Sequence, residues 1–72
     1  MTIHVALKKR NGIFIKKFDI PAGMGDAEME IMIQDKLAED EEFYRARLMG
    51  WNEDGEELRE YMKQKYGRFF KG

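Results

Sequence analysis

The chain has 72 residues and a net charge of −1, and 43% of its residues are hydrophobic, a share too high for a disordered chain. It contains no Cys and no Ser, and its only Thr and His stand at positions 2 and 4, so it lacks most side chains that enzymes use for covalent or acid–base catalysis. We therefore expect one small domain over residues 1–72 that is not an enzyme and binds no metal or cofactor. We also expect it in a reducing cytoplasm and not in a membrane.

The charges fall into three blocks along the chain. Residues 1–20 carry a net charge of +4, residues 21–44 carry −7 and residues 45–72 carry +2. Such blocks are typical of solvated faces of opposite sign, and they also suit binding to a charge-complementary partner.

The first twenty residues predict a β-hairpin. The Asn-Gly pair at 11–12 suits a two-residue type I′ turn between strands at 2–10 and 13–20. Alternation then gives one core face, made of Ile3, Val5, Leu7, Phe14, Phe18 and Ile20. The register that this turn implies places His4 opposite Asp19, as an ordinary cross-strand polar pair.

A helix is predicted over residues 27–38, with Asp26 as its N-cap. Its main apolar stripe suits docking on the core face of the hairpin and consists of Met29, Met32, Ile33 and Leu37. A narrower apolar stripe lies on the opposite side of this helix and consists of Ala27, Ile31 and Ala38. Another element of the chain or a partner is expected to cover it. We interpret the acidic run at 39–42 as a solvated loop, because consecutive carboxylates splay apart instead of converging on a metal ion.

Residues 43–51 predict a third strand from their alternation and aromatic content. Tyr44, Ala46 and Leu48 are expected to face the core, because the opposite phase would bury two arginines. Placed beside the first strand, this strand completes an antiparallel sheet of order 2-1-3 with the usual right-handed crossover.

A second helix is predicted from Glu56 to Tyr66, with Gly67 as its C-cap. It completes an α+β fold of element order ββαβα. The apolar face of this helix could lie beside the first helix, or it could cover the second face of the sheet. That choice decides whether the second face is open.

The second face of the predicted sheet is the candidate binding site, since it interleaves apolar and basic side chains. Arginine and tryptophan are frequent interface hot spots, so a protein partner is the main expectation. The predicted partner-binding residues are Ile15, Lys17, Phe43, Arg45, Arg47, Met49 and Trp51. Nucleic acid is the alternative partner, which the overall acidity of the chain disfavours. A homodimer is also compatible with the exposed sheet edges and the narrow helix stripe.

Two resemblances to known families rest on these features. The residues similar in order and position to those of ubiquitin are Met1-Thr-Ile-His-Val, Ile33-Gln-Asp-Lys36 and Asp54-Gly55 with Leu58 and Tyr61. That resemblance implies a β-grasp beginning, although the closing strand and diglycine tail of ubiquitin have no counterpart here. The ββαβ order resembles small phage-encoded proteins that bind and inhibit host enzymes, which implies an inhibitor or adaptor in the host cytoplasm.

Overall fold

The computed structural model describes all 72 residues, and its elements follow the order ββαβα. The elements are β1 (Thr2–Lys9), β2 (Gly12–Asp19), α1 (Asp26–Ala38), β3 (Arg47–Asn52) and α2 (Gly55–Tyr66), followed by a 3₁₀ turn at Gly67–Phe69. The strands form one antiparallel sheet of order β2-β1-β3, which confirms the predicted fold class and strand order. Neither helix combines the length and the apolar character needed to cross a membrane.

The β1–β2 hairpin keeps the predicted faces but not the predicted register. Thr2 lies opposite Asp19 and Lys9 opposite Gly12, so the turn is centred on residues 10–11. A type I′ turn needs positive φ angles at both central residues, whereas the only positive φ in this hairpin is the 144° of Gly12. The register differs from the prediction by two residues. Because two is the side-chain period of a strand, every side chain stays on its predicted face.

The observed register separates His4 from Asp19. His4 lies opposite Lys17, and its Nδ1 is 3.2 Å from the carbonyl oxygen of Glu53. Asp19 instead accepts a hydrogen bond of 3.0 Å from the hydroxyl of Thr2. The predicted His4–Asp19 pair is therefore wrong.

α1 packs on one face of the sheet, as its main stripe predicts. Gly25, and not Asp26, is the N-cap, and no side chain caps this helix. The buried residues of this layer are Ile3, Val5, Leu7, Phe18, Ile20, Met29, Ile33, Leu37 and Phe43. The narrow stripe of α1 is uncovered, with Ile31 63% exposed.

α2 covers the opposite face of the sheet. Leu58 and Met62 are buried there against Ala6 of β1 and Ile13 of β2. The carboxylate of Asp54 caps the helix by accepting hydrogen bonds of 3.0 and 3.2 Å from its second and third backbone N–H groups. The sheet thus lies between two helices, and its second face is closed.

The segment after α2 adds a short bridge to the outer edge of β2. Phe70 pairs with Ile13 in parallel, and the Lys71 N–H donates to the Ile13 carbonyl at 2.7 Å. Gly12 lies under this segment: a Cβ at that position would be 2.5 Å from Lys71 Cγ and 2.9 Å from the Phe69 carbonyl oxygen. The close approach of the two segments therefore requires glycine at position 12.

Candidate functional site

A β-bulge in β3 determines which face its tryptophan occupies. The pairs on either side of the bulge are Ala6 with Gly50 and Leu7 with Leu48. Met49 is therefore an extra residue in β3, and it reverses the alternation beyond that point. Trp51 lies opposite Val5 and packs against the core on the α1 side. The prediction that Trp51 belongs to the second face of the sheet is wrong.

The segment 43–46 precedes β3 instead of belonging to it. Phe43 is 6% exposed in the core on the α1 side, where its ring centroid is 6.2 Å from that of Phe14 in an edge-to-face arrangement. Asp40 accepts a hydrogen bond of 2.9 Å from the Phe43 N–H and so fixes this turn. Tyr44 is 55% exposed. The predicted orientations of Phe43 and Tyr44 are both wrong, because a turn does not alternate as a strand does.

The other predicted binding residues do not form one surface either. Ile15 and Met49 are half-buried against the core that α2 covers. Lys17 is exposed, and lies opposite His4 near the start of β1. Arg45 and Arg47 are exposed at the opposite end of the strands. The continuous apolar and basic face is absent because α2 occupies that side of the sheet.

Eight cations, all exposed except the half-buried Lys9, lie at the end of the molecule that carries the hairpin turn. We call this surface the basic end, and its cations are Lys8, Lys9, Arg10, Arg45, Arg47, Lys65, Arg68 and Lys71. They are eight of the 13 Lys and Arg residues of the chain. None of them forms an ion pair: the two ion pairs are Lys16 with Asp40 at 2.7 Å and Lys63 with Glu60 at 3.9 Å.

Aromatic rings lie beside several cations of the basic end. The Arg45 guanidinium is 5.2 Å from the Tyr44 ring centroid, and the Arg68 guanidinium is 5.5 Å from that of Phe69. Tyr44 and Phe69 are 55% and 57% exposed. Arginine and aromatic residues are both enriched in protein interfaces. Phe69 is not among the predicted site residues, although the aromatic run after Gly67 was an available signal.

The basic end contains a concavity between the hairpin tip and the segment after α2. We call it the tip cleft, and its lining consists of Lys8, Lys9, Arg10, Gly12, Ile13, Tyr66 and Phe69. It is the only one of five surface concavities whose lining contains no carboxylate. The cleft therefore combines cations and aromatic rings without local neutralisation.

The opposite end of the molecule is acidic. β2 ends there at Asp19, and the first turns of both helices carry the carboxylates Asp26, Glu28, Glu56 and Glu57. Acidic residues at helix N-termini are favoured by the helix dipole. Cations therefore predominate at one end of the strands and carboxylates at the other, although Glu42 of the acidic loop lies at the basic end beside Arg10 and Arg45. Such an uneven charge distribution can orient the molecule as it approaches a charged partner.

Two titratable groups are perturbed by their neighbours. The hydrogen bond from Lys16 lowers the pKa of Asp40 below its usual value of 3.8, and this effect with two backbone N–H groups outweighs partial desolvation. The hydrogen bond between the Lys65 ammonium and the Tyr61 hydroxyl raises the pKa of Lys65 above its usual value of 10.5. Lys65 is therefore charged at neutral pH and contributes to the basic end.

No protein-family model matches the chain. Neither a curated protein nor a solved structure gives a significant match.

Proposed function

We propose that this chain is a non-catalytic protein-interaction module that docks its basic end on an acidic surface of another protein. The observation that carries the proposal is the set of eight cations without ionic partners, located beside exposed rings at one end of a net acidic chain. Complementary charge accelerates association and fixes orientation, and arginine and aromatic side chains supply much of the binding energy in interfaces.

A concrete form of this proposal is an inhibitor or adaptor of the phage type, acting on a host protein in the host cytoplasm. Its support is the resemblance in element order to small phage-encoded inhibitors, together with a sequence that contains no Cys. The resemblance identifies no target, so the partner is defined here only by its acidic surface.

Nucleic acid is the alternative ligand of the same surface, and the exposed rings of Tyr44 and Phe69 beside arginines favour it. Against it, Glu42 lines the concavity next to the tip cleft, together with Arg10 and Arg45. A polynucleotide needs a continuous track of cations because each nucleotide carries a phosphate. The carboxylate interrupts that track, and we therefore favour a protein partner.

Affinity capture from a lysate of the source cell or its host tests the proposal. The test variant is Arg10→Glu/Arg68→Glu, and the matched control is Lys17→Glu/Lys36→Glu, which makes the same charge change outside the basic end. We expect a discrete protein to bind the wild type and the control, and to bind the test variant at least about tenfold more weakly.

Two outcomes of the capture would contradict the proposal. One is retention of the partner by the test variant. The other is loss of the captured material after nuclease treatment, which would assign the surface to nucleic acid. Circular dichroism of each variant checks that the fold is preserved, and light scattering of the purified chain tests the separate expectation of a homodimer.

A further inference from the structure

We propose that the tip cleft binds a short acidic peptide segment that also carries an aromatic side chain. This inference rests on the proposed function and deepens it, because it assigns the partner's contact to an extended segment instead of a flat folded surface. The two walls of the cleft differ in chemistry, and each wall selects one part of such a ligand.

The hairpin wall of the cleft is cationic. Lys8 and Arg10 are exposed, and neither has an ionic partner in the molecule. Lys9 also lines the cleft, but its ammonium lies 4.9 Å from the ring centroid of Phe43 on the α1 side, so Lys8 and Arg10 are the cations available to a ligand. Arginine binds carboxylates through two parallel hydrogen bonds, and lysine adds point charges around them. This wall therefore selects carboxylates.

The opposite wall of the cleft is aromatic. Phe69 exposes 57% of its surface, and Tyr66 is half-buried beside it. The floor between the walls includes Ile13, which is only 2% exposed. An apolar ring placed on this wall would cover surface that is otherwise in contact with water, and aromatic rings also gain from offset or edge-to-face packing. This wall therefore selects an aromatic side chain.

A backbone contact joins the two walls of the cleft in the absence of a ligand. The Lys71 N–H donates a hydrogen bond of 2.7 Å to the Ile13 carbonyl, and this bond is part of the Phe70–Ile13 bridge. Gly12 permits this contact because its missing side chain leaves room for Lys71. A preformed site loses less conformational entropy on binding, which matters most for a short flexible ligand.

The surroundings of the cleft limit the length of an anionic ligand. Glu42 lies in the adjoining concavity, and the far end of the molecule is acidic from Asp19 to the first turns of both helices. A long polyanion would meet these carboxylates, whereas a short acidic segment remains within the basic end. Charge complementarity therefore favours a peptide over a polynucleotide.

Fluorescence anisotropy with defined probes tests the inference. The probe is a fluorescein-labelled synthetic peptide in which acidic residues flank one phenylalanine; the comparison probes are the same peptide with alanine in place of phenylalanine, and a single-stranded oligonucleotide of equal charge. We expect the first peptide to bind most tightly. Arg10→Glu and Phe69→Ala should each weaken the binding of this peptide by about tenfold or more, because each removes a main contact group of one wall.

Matched variants outside the cleft separate the site from general charge and surface effects. Ile31→Ala removes an exposed apolar side chain on α1, and Lys17→Glu reverses a charge at the acidic end. Both are expected to keep the affinity for the peptide within about twofold, since neither residue lines the cleft.

Three results would overturn the inference: no binding of the peptide, equal binding to Phe69→Ala, or tighter binding of the oligonucleotide. If the captured partner still requires Arg10 and Arg68 while the peptide does not bind, the proposed function stands and only this inference fails. If capture does not depend on those arginines, the proposed function fails, whatever the peptide does.

Discussion

Gly55 provides the space in which the His4 ring lies against the start of α2. A Cβ at position 55 would be 2.6 Å from both Cδ2 and Nε2 of that ring. Alanine is normally preferred to glycine in a helix, so a penalty at this position would come from the ring and not from helix propensity. The lone histidine is thus explained by packing at a helix start and by its contact with the Glu53 carbonyl oxygen.

We expect Gly55→Ala to lower the free energy of unfolding by about 1–3 kcal/mol, because the new methyl group overpacks the site. Adding His4→Ala should recover most of that loss. Urea denaturation of the wild type, both single variants and the double variant forms a double-mutant cycle that measures the coupling. Additive effects of the two substitutions would contradict the contact.

Asp40 links the acidic loop to the sheet through its ion pair with Lys16. Because the pKa of Asp40 is lowered in the folded state, its charged form stabilises the fold above the usual value of 3.8, and that stabilisation is lost as the pH falls through the folded-state value. Asparagine keeps an oxygen that can accept the hydrogen bonds from the Glu42 and Phe43 N–H groups, but it has no charge.

We therefore expect Asp40→Asn to be less stable than the wild type at neutral pH and to lose less stability on acidification below 3.8. Urea unfolding at a series of pH values measures the difference, and Glu39→Gln serves as the control for removing a charge from the same loop. A constant difference between Asp40→Asn and the wild type across the acid range would show that the ion pair does not contribute.

Among the elements, the hairpin shows what alternation predicts and what it does not. The apolar period of two predicts both faces of β1 and β2, and the structure confirms them. The register depends on where the glycine of the Asn-Gly pair lies in the turn. Gly12 was predicted to be the second loop residue, and in the structure it is the first residue after the loop. The choice of Gly12 as the residue after the turn coincides with its contact to Lys71, which is distant in sequence.

β3 shows why the site could not be predicted in full. The only sequence signal for the bulge is Gly50 inside the strand, which the alternation pattern does not take into account. The single extra residue Met49 is enough to move Trp51 to the other face of the sheet. Likewise, the turn that buries Phe43 has the same apolar and polar alternation as a strand start. The arginines of this segment were predicted to be exposed, and Arg45 and Arg47 are exposed.

The sequence left two positions open for α2, beside α1 or on the second face of the sheet. An apolar stripe shows that a helix has a face to bury, but it does not show which surface that face packs against. In the structure, Leu58 and Met62 close the second face of the sheet. This packing replaces the predicted open face, and the basic surface is displaced to the end of the strands.

Truncation of a buried α2 residue tests this packing. We expect Met62→Ala to lower the free energy of unfolding by about 2–5 kcal/mol, since Met62 is 2% exposed and its removal leaves a cavity against the sheet. Tyr61→Ala is the matched control on the exposed side of the same helix, with an expected loss below about 1 kcal/mol. Equal and small losses would mean that α2 does not cover the sheet.

For the whole molecule, the main feature is a sheet between two helices, with the basic end at the hairpin turn and the acidic starts of both helices at the other end. Both helices begin at the acidic end, and α2 ends at the basic end, so the dipole of α2 and its side-chain charges have the same direction. The fold also leaves the narrow stripe of α1 exposed, and the only cation on that helix is Lys36. A partner bound at the basic end and a partner bound at the narrow stripe of α1 would therefore contact different residues.

The most direct measurement is the footprint of the captured partner on the ¹⁵N-labelled chain, observed as changes in backbone amide NMR signals. We expect these changes to be concentrated at the basic end, in residues 8–12, 45–47 and 65–71. Changes confined to the Ala27, Ile31 and Ala38 stripe of α1, or to the acidic end, would contradict it.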